Sequence, residues 1–69
     1  MNIQLIMQER RRQQYKAGID AAEAMYAAGT VPLDIMQRAC EARSMSLSYS
    51  EGMRDTAQEM EQRELGGVG

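Results

Sequence analysis

A chain of 69 residues has room for one small domain; with a net charge of -2, no His, one Cys and neither Phe nor Trp, several common designs are closed to it. An intramolecular disulfide is excluded, a zinc cluster has no ligand set to draw on, and no general attraction to nucleic acid or to an anionic membrane is expected. Much of the apolar content is Ala and seven Met, so the core of a single chain must be thin. Domains of this size are marginal without a disulfide, a metal or a second subunit, and only the second subunit is left.

The first element expected is a long helix over 2–28, with Asn2 as its N-cap and Gly29 as its stop. Gly18 reads as its weak point. At about 100° per residue, Tyr15, Ile19, Ala22 and Tyr26 line one seam, and Ala17, Ala21, Ala24 and Ala28 line a second. Lys16, Asp20 and Glu23 hold a polar arc between them. A helix apolar on two sides has two sets of neighbours, so one seam is expected to pack on the chain itself and the other on a second subunit or partner. The second seam continues towards the N-terminus as a 4,3-spaced series of Ile3, Met7, Arg10, Gln14, Ala17, Ala21, Ala24 and Ala28, bulky at one end and small at the other. An antiparallel pair of such helices would set Ile3 and Met7 of one chain against Ala28 and Ala24 of the other. The competing reading makes residues 3–14 a polar lead-in and packs the alanine seam within the chain.

GTVPLD is the clearest break, since Gly29 ends a helix readily and Pro32 suits the first turn of the next. The second helix, about 32–44, turns Leu33, Ile35, Met36, Ala39, Cys40 and Ala42 to one broad face, with Arg43 snorkelling near its end. The Ser-rich stretch after it favours caps and turns, and Ser48 to Glu51 matches a capping box. A third helix over about 49–64 would bury Tyr49, Met53, Ala57 and Met60 and expose a ridge of Glu51, Asp55 and Glu59. Fusion of the second and third helices is the rival reading. Short connections favour antiparallel neighbours, so the fold class is all-α: a helical hairpin or three-helix domain spanning 1–65 with one long N-terminal helix, completed by homodimerisation, and a flexible tail at 66–69.

Catalytic chemistry finds little support in these residues. Histidine is absent, Cys40 sits on the apolar arc of the second helix where a buried, inert thiol is expected, and the carboxylates fall on solvated faces. No catalytic residue, metal ligand or cofactor is assigned. Residues 36–54 have the outline of a helix-turn-helix, but the would-be recognition helix displays Glu51, Asp55 and Glu59 around Arg54, which suits a phosphate-lined groove poorly. Specific binding to nucleic acid is therefore not expected, and a small DNA-binding transcriptional regulator is the second hypothesis. No stretch approaches the roughly 20 apolar residues that span a bilayer. The order of an apolar run followed by charge reverses that of a secretory leader, and with the lone Cys it makes the cytoplasm the expected location.

Recognition by surface remains. Met-rich, aromatic-poor surfaces adapt to partners, although Met can equally fill gaps between Ala-rich helices. Size and class together suggest a non-enzymatic regulator that binds and inhibits or remodels another protein, of the antirepressor, anti-activator or anti-defence kind carried by phages and other mobile elements. The expected partner-binding residues are Ile6, Arg10, Arg11 and Arg12, an apolar group rimmed by bases. The expected dimer interface is Ile3, Met7, Ala17, Ala21, Ala24 and Ala28.

Overall fold

A computed structural model describes residues 3–66 as three helices, α1 (Ile3–Ala27), α2 (Pro32–Ala42) and α3 (Leu47–Gly66). The expected cap at Asn2 and the tail beyond Gly66 lie outside the described residues, whereas Gly66 itself is the last residue of α3 rather than part of a tail.

Each boundary has a local cause. Gly29, at a φ of 100°, closes α1. Its N–H donates to the Tyr26 carbonyl at 3.0 Å and the Thr30 N–H reaches back to the Met25 carbonyl at 2.9 Å, the pair of bonds by which a left-handed residue satisfies the orphan carbonyls of a helix end. Val31, extended at φ -73° and ψ 151°, precedes Pro32 at the start of α2, where a missing N–H costs nothing. The turn 43–46 separates α2 from α3, which settles the question of fusion in favour of two helices.

The cap of α3 is Ser46, not Ser48. The Tyr49 N–H donates to Ser46 Oγ at 3.3 Å and the Ser50 N–H to the Ser46 carbonyl at 3.0 Å, while the Ser46 hydroxyl donates to Gln14 Oε1 at 2.8 Å. The cap is thus also a tie between α3 and α1, and that tertiary bond favours it over the motif two residues later.

Helix α1 packs chiefly on α3, α2 packs on α3, and α1 and α2 touch sparsely. The main pairing therefore joins the first and last helices rather than chain neighbours. Its direction is parallel: Gln14 meets Ser46, Tyr15 meets Asp55 and Tyr26 meets Glu64. At the crossing the backbones approach closely. A Cβ added to Gly18 would collide with the Tyr49 carbonyl oxygen and come within 2.9 Å of the Met53 nitrogen, and one added to Gly52 would collide with the Tyr15 carbonyl oxygen. The residue read as the weak point of α1 is instead its closest contact.

The core is small, as expected: Ala22, Ile35, Ala39, Met53, Ala57 and Met60. Met53 and Met60 do fill gaps among alanines, flanked by half-buried Ala21, Met25, Met36 and Tyr49. Ser50, also buried, donates to the Ala39 carbonyl at 2.5 Å. That carbonyl belongs to the last turn of α2, where acceptors lack helical partners, and the Arg43 N–H turns to Cys40 instead.

Two expectations fail on α2 and α3. Cys40 is exposed, not buried, and Leu33 is 68% exposed, because α1 barely covers α2 and the side of α2 that is buried is that of Pro32, Ile35 and Ala39. Asp55 is half-buried and accepts from the Tyr15 hydroxyl at 2.8 Å, so it leaves the solvated ridge that Glu51 and Glu59 keep.

Candidate protein-binding surface

Helix α1 is 25 residues long and α2 only 11, or about 37 Å against about 16 Å at 1.5 Å per residue. Since α3 starts beside Gln14, the residues of α1 ahead of Gln14 lie beyond the start of α3. Every residue from Ile3 to Gln14 is exposed. This arm carries four large apolar side chains in its first turns, Ile3 (71% exposed), Leu5 (58%), Ile6 (41%) and Met7 (52%), followed by Arg10, Arg11 and Arg12 against the single acid Glu9. An isolated helix of this length is marginal in water, and apolar groups concentrated on one short segment mark an interaction surface more often than scattered ones do.

The expected interface residues divide in the structure. Ile3 and Met7 are on the arm; Ala17 and Ala24 are exposed on the body of α1, Ala28 is exposed in the turn just after it, and Ala21 is half-buried, packed against the core. The alanine seam is thus largely left open by the chain's own packing, contrary to the reading in which it packs internally. The opposite seam does the internal work, with Ala22 buried and Tyr15 and Ile19 half-buried. Ile6, Arg10, Arg11 and Arg12 are all exposed on the arm and share it with Leu5, which the sequence reading passed over.

A different surface lies between α1 and α3. A groove of about 560 Å³ is lined by Tyr15, Ile19, Tyr26 and Met60 together with Glu23, Asp55, Glu59 and Arg63. The Tyr26 hydroxyl bridges one end to Glu64 Oε1 at 2.9 Å. Both tyrosines are held above their ordinary value of 10.0. For Tyr15 the cause is first the hydrogen bond to Asp55, then partial desolvation, then the charges of Asp55, Glu59 and Glu51. For Tyr26 it is first the bond to Glu64, with Arg63 opposing.

Near the α2–α3 turn a smaller hollow of about 240 Å³ gathers Cys40, Arg43, Leu47, Ser50, Glu51 and Arg54. Arg43 and Arg54 thus line one hollow, a grouping the linear sequence did not suggest. Among the described residues no three His, Cys, Asp or Glu side chains are placed to hold a metal ion, and no helix is long and apolar enough to cross a membrane. No protein-family model, curated protein or solved structure matches the chain.

Proposed function

We propose that this chain is a non-enzymatic regulatory protein that self-associates as a homodimer and works by binding, and thereby inhibiting or remodelling, another protein. The observation that carries the reading is the arm: a helical segment exposed along its whole length, apolar at its tip and basic at its base. Arg offers both a planar donor fork and packing area, which is why apolar groups rimmed by Arg recur as binding hot spots, and three consecutive bases favour an acidic target face. In this reading Ile6 and Arg10 to Arg12 contact the target, and the antirepressor, anti-activator and anti-defence classes act in this way.

The test is affinity capture from the source cells with the wild-type chain and with Arg11→Glu/Arg12→Glu. The double variant should lose the captured protein and keep its helicity. Binding that survives the double change but is abolished by Leu33→Glu, on the open side of α2, would move the contact surface to the other end of the molecule.

A second reading, a DNA-binding regulator, has one observation in its favour, that Arg43 and Arg54 line the same hollow near the α2–α3 turn. Exposed Glu51 lies in the same hollow and opposes a phosphate there. A sequence-selective complex that persists at physiological salt and is lost in Arg54→Ala would favour this reading over the first, since nonspecific contacts fade steeply with ionic strength.

A further inference from the structure

Self-association leaves open how two copies meet. We infer that the arm of one copy lies along the open face of α1 in a second copy, antiparallel, so that each arm covers the other chain's body; this rests on the homodimer reading above and gives it a geometry. Three observations on α1 converge.

The first is register. Ile3 and Met7 on the arm, Ala17 and Ala24 on the body and Ala28 just past its end fall in one 4,3-spaced series, and all five are exposed. The antiparallel pairing that sets Ile3 against Ala28 sets Met7 against Ala24, bulk against space at both ends. The second is charge. Arg10 to Arg12 then lie opposite 19–21, and the acid there is Asp20, exposed and one turn from exposed Glu23. The hollow between α1 and α2 beside Ala28 adds exposed Asp34 and Glu41 against Arg38. A basic arm thus meets an acidic body, whereas a parallel pair would set arm against arm and base against base. The third is closure. One two-fold operation covers both exposed surfaces at once, while an arm docked head-to-tail on a third molecule would leave an open chain of copies.

The stripe positions Arg10 and Gln14 are compatible with this packing, because an Arg stem covers apolar surface while its head reaches outward. In the pair, Met7 of one chain is about 25 Å from Met7 of the other, 17 residues of helix rise away, but adjacent to Ala24.

The experiment uses the full chain. Sedimentation equilibrium should give twice the chain mass of 7.7 kDa. In a Cys40→Ser background, which removes the exposed native thiol, a Met7→Cys chain mixed with an Ala24→Cys chain should form a disulfide-linked dimer on oxidation; the Met7→Cys chain alone should not, since a disulfide needs Cα atoms within about 7 Å. Ala24→Glu should halve the mass with helicity retained, because Ala24 faces solvent in the single chain; Ala21 is a poorer probe, since it touches the core. A Met7→Cys chain that cross-links to itself, or a mixture that does not cross-link while the mass stays double, overturns the antiparallel arrangement and leaves self-association standing. A monomer at every concentration overturns both.

Discussion

Replacing Gly52 with Ala separates two views of a glycine inside a helix. If Gly52 only lowers helix propensity, Gly52→Ala adds about 1 kcal/mol of stability. The packing says the reverse. A Cβ at Gly52 meets the Tyr15 carbonyl oxygen well inside van der Waals contact, with the Tyr15 carbonyl carbon at 3.0 Å and its Cα at 3.2 Å. The obstacle is backbone, which no rotamer change relieves, so α1 and α3 must move apart and loosen Ala22, Met53 and Ala57 around the crossing. Overpacking costs about 1–3 kcal/mol where side chains can adjust. Against rigid backbone the upper end applies, and subtracting the propensity gain leaves a net loss of about 2 kcal/mol. A chain of this size has roughly 3–10 kcal/mol in all, and about 2 kcal/mol shifts the midpoint by roughly 8–16 °C. Thermal and urea unfolding followed by circular dichroism would read it, with Gly18→Ala expected to behave alike, since Tyr49 backbone blocks it in the same way. A Gly52→Ala variant as stable as wild type, or more so, would refute the close crossing.

Other expectations follow from single contacts. Tyr15→Phe should cost about 1 kcal/mol by leaving half-buried Asp55 without its donor. Because the folded state raises the Tyr15 pKa, the stabilisation is complete below pH 10.0 and is lost as pH rises through the raised value; Tyr15→Phe should therefore flatten the alkaline fall of the melting midpoint, and an unchanged fall would sink the assignment. Ser50→Ala should cost about 1–3 kcal/mol, since it strands a buried carbonyl of α2, and a loss too small to measure in urea would show that water replaces the hydroxyl. Cys40 should react with a thiol reagent in native buffer at the rate of a free thiol, and a reaction that waits for denaturant would restore the buried reading.

The punctuation of the chain was legible. Gly29 and Pro32 marked the first turn because each has a backbone requirement that few residues share, and Ala22, Met53, Ala57 and Met60 followed from periodicity alone. The cap of α3 was misplaced because Ser46 and Ser48 both stand at its start, and what selects Ser46 is a bond to Gln14, remote in sequence. Cys40 and Leu33 read as buried from the sequence because a broad apolar arc on α2 presupposes cover on two sides, whereas α1 touches α2 only sparsely. The glycines show a different kind of miss. Read as propensity, Gly18 and Gly52 are each a cost; read together, Tyr15-Lys-Ala-Gly18 and Tyr49-Ser-Glu-Gly52 repeat the spacing Y-x-x-G, and in the fold each glycine lies against the carbonyl of the other helix's tyrosine. The signal was present, but it acquires meaning only once the two helices are known to cross there.

That crossing also explains why the chain has an arm. Two helices that touch through glycines can pack around alanines, and a core of Ala22, Ala39 and Ala57 with Ile35, Met53 and Met60 needs few large side chains. The tight contact lies near the start of α3, with Gly18 against Tyr49, only three residues past the Ser46 cap. Whatever precedes Gln14 on α1 must then run past the beginning of α3, and α2, returning over only 11 residues, ends too early to cover it. Four of the exposed large apolar residues of α1, Ile3, Leu5, Ile6 and Met7, are on this overhang. A chain that builds its interior from small residues and exposes bulk on an overhang has apolar surface left over after its own folding, and in the proposed reading that surface is what a second copy or a target would cover.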